Sequence, residues 1–282
     1  MTLHSSLPRL LTDGSRPTPV RSDPRPLKVM GILNATPDSF WQGSRYPAVG
    51  RAIEAGEEMF ALGAWAVDIG GESTRPGAAP VSPAEELERI APIVAALAGR
   101  GRVSVDTRHA EVAEEAVRLG ASIINDVSGS LCPVAARTGA GYVGMHSHTV
   151  PVSVDGNPVY DDVHAEVAAH LSAIAAEARQ EGVGDLWIDP GIGFGKSVED
   201  NLELLRRLRE LSSLGVPVLV GVSRKSFIGR ITGRDVGDRL AGSLALIAPA
   251  WTAGVDVIRV HDVEATLDTI AMLDAVWGRP RT

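Results

Sequence analysis

Leu186-Trp-Ile-Asp-Pro-Gly-Ile-Gly-Phe-Gly-Lys196 opens the stretch that decides the fold. A short apolar run ends in an aspartate, a glycine-rich loop follows, and residues 198–214 repeat apolar side chains at helical spacing. After Gly215 comes a second run, Pro217-Val-Leu-Val-Gly-Val222, followed by Ser223-Arg-Lys225. Both runs are continuously apolar rather than alternating, which marks strands buried on both faces. Strand, helix and buried strand in that order make a parallel pair joined by a crossover.

Read outward in both directions, the same unit recurs. Apolar runs fall at 28–33, 65–69, 102–105, 121–124, 141–145, 186–188, 217–222 and 256–260. Amphipathic segments lie between them at 49–62, 83–97, 110–119, 163–181, 198–214, 239–251 and 265–276, with a short, weak one at 132–138. Gly63, Gly99, Gly120, Gly182, Gly215 and Gly254 stand where helices stop. Eight strand–helix units predict a single (β/α)8 TIM barrel over residues 28–278, with an open, doubly wound sheet as the alternative. Residues 1–27 carry Arg9, Arg16, Arg21, Arg25 and five prolines, with no apolar segment of the secretory kind. Asp13 and Asp23 argue against a transit peptide, so a disordered tail is expected.

Bulk properties exclude several classes of function. The formal charge of −8 gives no basic footprint for nucleic acid. No run of 18 apolar residues suggests a membrane span. Cys132 is the single cysteine, which rules out an intrachain disulfide and fits a reducing cytoplasm.

Nearly every apolar run ends in a side chain able to do chemistry: Asn34, Asp68 with Glu72, Asp106, Asn125 with Asp126, His146, Asp189, Ser223, and His261 with Asp262. One aspartate after a strand usually caps a helix. Eight such endings in a closed barrel converge on its carboxyl-end face, where barrel active sites sit. Lys225 after the seventh run and Arg259 and His261 in the eighth lie where barrels often hold phosphate, and Arg75 can join them from across the mouth. Arg224 is expected on a solvated helix face. The glycine-rich loops 68–77 and 189–196 can expose N–H groups to an anion. Asp106, Asn125 and Asp189, on three strands, suit the donor–donor–acceptor edge of a planar heterocycle such as a pterin. A metal site is the competitor, but the carboxylates and histidines lack ligand spacing. On physics alone, the site takes a polar planar heterocycle carrying an anion.

Seven motifs then bring the chain close to a known family. Met30-Gly-Ile-Leu-Asn-Ala-Thr-Pro-Asp-Ser-Phe40, Asp68-Ile-Gly-Gly-Glu-Ser-Thr-Arg-Pro-Gly77, Ser104-Val-Asp-Thr107, Ile124-Asn-Asp126, Asp189-Pro-Gly-Ile-Gly-Phe-Gly-Lys196, Ser223-Arg-Lys-Ser-Phe-Ile-Gly229 and Arg259-Val-His-Asp262 resemble, in order, those of dihydropteroate synthases. The resemblance implies a cytoplasmic, homodimeric, sulfonamide-sensitive enzyme of folate biosynthesis. Such an enzyme joins 6-hydroxymethyl-7,8-dihydropterin diphosphate to 4-aminobenzoate with Mg²⁺. It also implies roles: Asn34 on the Mg²⁺–diphosphate, and Thr74 and Arg75 near the diphosphate. Asp106, Asn125, Asp189 and Lys225 hold the pterin, and Asp106, Lys225 and Arg259 form the catalytic set. Arg259 stacks on the ring and reaches the diphosphate, with His261 on a phosphate. Pro76, Phe194 and Ser226 line the aminobenzoate pocket. The chain departs from the family in one loop, where Phe40-Trp-Gln-Gly-Ser44 replaces Phe-Ser-Asp-Gly-Gly, so Gln42 stands for a carboxylate. That departure leaves a pterin-binding paralogue without turnover as one alternative. A methyltetrahydrofolate-binding methyltransferase barrel is another, although it has no need of the diphosphate set.

Overall fold

The computed structural model describes residues 26–35, 45–73, 80–147 and 158–277. Its strands are β1 (Lys28–Asn34), β2 (Ala66–Gly70), β3 (Val103–Asp106), β4 (Ile123–Asp126), β5 (Gly141–Met145), β6 (Leu186–Asp189), β7 (Leu219–Gly221) and β8 (Val257–Val260). They pair in parallel in the order β6-β5-β4-β3-β2-β1-β8-β7. A parallel bridge between Ile188 and Val218, in which Ile188 N donates to Pro217 O at 3.0 Å, joins the two ends. The sheet therefore closes into a barrel, and the open doubly wound alternative falls. Half of the run 217–222 lies outside the regular ladder, and Pro217 has no N–H to give to one.

The wall of the barrel separates two apolar clusters, as period-two strands require. Met30, Ala66, Ile123, Val143, Trp187, Leu219 and Val257 fill the interior near the strands' amino ends. Their sequence neighbours, among them Val29, Val67, Ile124, Tyr142, Ile188, Val218 and Ile258, face outward and pack beneath the helices. Branched aliphatics dominate both layers, in keeping with the scarcity of aromatics. Leu27, at the end of the expected tail, is buried in the outer cluster, whereas residues 1–25 lie outside the described residues.

The surrounding helices are α1 (Arg45–Leu62), α2 (Pro83–Leu97), α3 (Ala110–Arg118), α4 (Cys132–Thr138), α5 (Val163–Gln180), α6 (Val198–Arg206), α7 (Leu208–Ser212), α8 (Ser226–Thr232), α9 (Leu240–Ala245), α10 (Ile247–Ala253) and α11 (Val263–Trp277). Local chemistry fixes several starts. Ser82 Oγ accepts from Glu85 N at 3.2 Å, Asp162 from Ala165 N at 3.0 Å, and Ser197 and Asp200 form a reciprocal capping box. Of the stop glycines, Gly63, Gly120, Gly182, Gly215 and Gly254 have positive φ, and Gly99 does not. The segments 198–214 and 239–251 are each two helices rather than one, and α8 had no helical periodicity to announce it. Among the described residues no helix is long and apolar enough to cross a membrane.

Candidate active site

Two residues beyond four of the seven members of the inner apolar layer, the same face of the wall turns polar. The positions are Asp68, Asn125, Asp189 and Arg259, with Ile32, Met145 and Gly221 between them. Asp106, paired in register with Asn125, belongs to the same face. The floor of the carboxyl-end mouth is thus set by strand periodicity alone.

Asp68 is the hub of this floor. Its side chain is fully buried, and one oxygen, Oδ2, accepts from Asn125 Nδ2 at 2.9 Å and from Arg259 Nε at 2.6 Å. Arg259 reaches Asp106 Oδ2 with its other arm, also at 2.6 Å. One guanidinium therefore bridges carboxylates from β2 and β3. Burial alone would lower the Arg259 pKa, but Asp68 and Asp106 outweigh it and hold the group above its ordinary value. Burial pushes Asp106 up to about 7, against the pull of Arg259 and with help from the Asp68 charge. Asp189 is likewise raised by burial, although Gly191 N donates to its Oδ1 at 2.7 Å and Lys225 draws it down. Burial lowers Lys225 to about 8, with Asp189 opposing.

The rim is built from loops. Lys225 Nζ stands 4.3 Å from the centre of the Phe194 ring, which brings together two residues expected in neighbouring subsites. Ser226 is exposed at the start of α8. His261 sits beside Ser223, and burial together with Arg259 and Arg224 lowers its imidazole to about 4. Asn34 ends β1, half-buried, opposite Gly70. Thr74, Arg75, Pro76 and Gln42 lie outside the described residues.

Two expectations need correction. Arg224 does not begin a solvated helix face: it is half-buried and precedes the helix that starts at Ser226. Its guanidinium grips Asp262 twice, at 3.0 and 2.6 Å, and its φ of 56° turns the chain after β7. In the glycine loop 191–196 three amides are spent within the protein rather than left for an anion: Gly191 N is taken by Asp189, Gly193 N by Asn201 Oδ1 at 2.6 Å and Phe194 N by the Gly191 carbonyl at 3.0 Å. Glycine is needed at 191 for a different reason: a Cβ there would lie 1.9 Å from the His146 carbonyl oxygen. Lys196 closes the loop from within. Its buried Nζ donates to the Gly191 and Phe194 carbonyls at 2.9 and 3.2 Å and reaches His146 Nδ1 at 3.0 Å. Burial holds its pKa near 7.

Three supporting roles escaped the sequence: Asp68 as hub, Ser223 beside His261, and Lys196 within the loop. The first was legible, since Ala66 and Asp68 share a face by period two. The others depend on contacts between distant segments. Outside the floor, Glu72 accepts both arms of Arg108 at 2.7 and 3.0 Å and receives Val81 N at 3.0 Å. It thereby ties a position two residues before the 74–79 segment to one two residues after it.

Residues 30–261 match the family described as pterin binding enzyme. The dihydropteroate synthase of Escherichia coli (strain K12) is 44% identical over 255 residues, which is 88% of this chain and 90% of that protein. Xanthomonas albilineans dihydropteroate synthase with 4-aminobenzoic acid is 42% identical, covers 90% of this chain and 94% of its own, and superposes with a TM-score of 0.84. That enzyme in complex with 7,8-dihydropteroate gives 40% identity and a TM-score of 0.81, over 90% of this chain and 95% of its own. With nearly the whole barrel covered at this identity, the chain belongs to the dihydropteroate synthase family of pterin binding enzymes.

Proposed function

We infer that this barrel is a dihydropteroate synthase, condensing 6-hydroxymethyl-7,8-dihydropterin diphosphate with 4-aminobenzoate to give 7,8-dihydropteroate and diphosphate. The observation that carries the reading is the floor itself. Asp106, Asn125 and Asp189 offer acceptors and an amide at one depth, and Arg259 and Lys225 stand among them. A flat ring with adjacent donors and an acceptor fits that set, and the cations lead from it toward His261 at the rim.

Asn125 and Asp189 take the amino-oxo edge of the pterin, with Asp106 and Lys225 on the rest of the ring. Arg259 lies along the ring and reaches outward, and His261 and Arg75 meet the diphosphate with Thr74. As the methylene C–O bond loosens, positive charge grows on the pterin side and negative charge on the leaving oxygens. Asp106 and Asp68 stabilise the first; Arg259 and His261 stabilise the second. The arylamine nitrogen, held by Pro76, Phe194 and Ser226, forms the new C–N bond and then loses a proton. No covalent enzyme intermediate is required, and Cys132, buried on the outer layer, takes no part.

Among the described residues no group of three or more His, Cys, Asp or Glu could hold a metal. A single neutral amide, Asn34, suits Mg²⁺, which keeps most of its waters and binds through substrate phosphates. When bound, the ion supplies charge to the departing diphosphate. The unit doing this chemistry is residues 28–278, a span supported by strands and helices running from Lys28 to Trp277. A cytoplasmic homodimer accords with the single buried cysteine and with the apolar face of α11, where Met272, Val276 and Trp277 are 64%, 55% and 42% exposed. Met272→Glu tests the dimer by light scattering, with the monomer expected. Product analysis tests the reaction: 7,8-dihydropteroate must appear only when both substrates are present.

A further inference from the structure

Ser223 and His261 are placed opposite each other by the barrel's own register. In the β7–β8 ladder Gly221 pairs with Arg259, and two residues onward on each chain bring Ser223 to His261. Ser223 is buried at 5% exposure. Its Oγ lies 3.2 Å from His261 N and 3.0 Å from His261 Nδ1. The backbone N–H can only donate, so Oγ accepts there. A hydroxyl then has one proton left to give.

Among the described residues that proton has one acceptor within reach, the lone pair on His261 Nδ1. Were Nδ1 protonated instead, Oγ would receive two N–H groups and its own buried proton would be orphaned, an arrangement native interiors avoid. Protonation of both nitrogens is opposed by burial and by Arg259, Arg224 and Lys225, with only Asp262 pulling the other way. We propose that Ser223 is a positioning residue that fixes neutral His261 as the Nε2–H tautomer, so that the imidazole presents a hydrogen-bond donor to the leaving diphosphate.

The proposal rests on the reading that His261 meets the diphosphate, and it adds what state the histidine is in. The other neutral tautomer would aim a lone pair at an anionic oxygen. A neutral donor stabilises charge developing on the leaving group without a further cation having to be held beside Arg259, Arg224 and Lys225. Among the described residues His261 Nε2 makes no hydrogen bond, which leaves it available to a ligand.

The test reads the tautomer directly. The full chain is labelled with ¹⁵N-histidine, and two-bond ¹H–¹⁵N correlation spectra are recorded at neutral pH with and without inorganic diphosphate. The His261 signals are assigned by their loss in His261→Gln. The wild type is expected to show protonated Nε2 and bare Nδ1 before any ligand is added. Ser223→Ala should shift His261 toward the Nδ1–H form or a mixture and weaken diphosphate binding about tenfold by calorimetry at fixed Mg²⁺. Ser223→Thr, which restores the hydroxyl, should recover both. A wild-type spectrum showing Nδ1–H or imidazolium overturns the inference whether or not any variant folds. So does a folded Ser223→Ala that keeps the wild-type tautomer. If His261→Gln binds diphosphate as tightly as wild type, the underlying placement of the diphosphate fails, and it fails separately from the tautomer result.

Discussion

Replacing Asp68 by alanine removes one oxygen that two functional side chains share. Asn125 Nδ2 loses its acceptor outright, whereas Arg259 keeps Asp106. A hydrogen bond to a charged group contributes roughly 1.5–3 kcal/mol, and an orphaned buried donor costs roughly 1–3 kcal/mol. Relief of the repulsion between Asp68 and Asp106 offsets part of this. A net loss of about 3 kcal/mol follows, less than the 5–15 kcal/mol or so of a typical domain, so the variant should remain folded. The effect on binding comes through orientation. With Asp68 gone, the Asn125 amide is free to turn its donor where the pterin needs an acceptor, and affinity should fall at least about tenfold, or roughly 1.4 kcal/mol. Asp68→Asn separates charge from orientation, because its oxygen can still accept from both partners; a loss of about 1 kcal/mol in stability and little change in affinity are expected. Urea unfolding and calorimetry with a pterin lacking diphosphate measure the two quantities. A folded Asp68→Ala that binds the pterin like wild type would refute the hub.

Other residues give sharper single readouts. Asp189→Asn should abolish measurable pterin binding in the same calorimetry while the far-ultraviolet spectrum stays unchanged, since a donor then meets a donor on the ring edge. Arg259→Ala should weaken both pterin and diphosphate, and it leaves Asp68 and Asp106 facing each other without their shared cation. Lys196→Met should raise the KM for 4-aminobenzoate more than that for the pterin substrate, because the loop carrying Phe194 loses its internal donor. Asp106 makes a pH prediction. Its folded value of about 7 lies above the ordinary 3.8, so its proton stabilises the fold below about pH 4 and that contribution is lost as pH rises through 7. Urea unfolding across that range should show wild-type stability falling relative to Asp106→Asn, then running parallel above pH 7.

The barrel was legible because eight buried strands leave eight apolar runs, and because helix stops need glycine at positions such as Gly120 and Gly254. The site was legible where strand ends carry polar residues, as Asp106, Asn125, Asp189 and Arg259 do. Illegible were the choices among partners. Arg224 reads as a surface cation until the fold brings Asp262, 38 residues away, to its guanidinium. Lys196 follows a glycine loop that reads as an anion cradle, yet its ammonium is turned inward to His146, 50 residues earlier. Period and composition describe a chain locally, whereas these pairings are set by how loops close over the rim. The helix at 226–232 was missed for a related reason: it buries only Phe227 and Ile228, too few for a periodic signal.

If floor and rim work together, they transfer a pterinylmethyl group to an arylamine. Diphosphate release from 6-hydroxymethyl-7,8-dihydropterin diphosphate, followed with and without 4-aminobenzoate, tests it most directly. Release should depend on the arylamine and equal the dihydropteroate formed, in the chain as it stands with Gln42. A protein that binds the pterin diphosphate but releases nothing, even when Gln42→Asp restores the loop carboxylate, would contradict it.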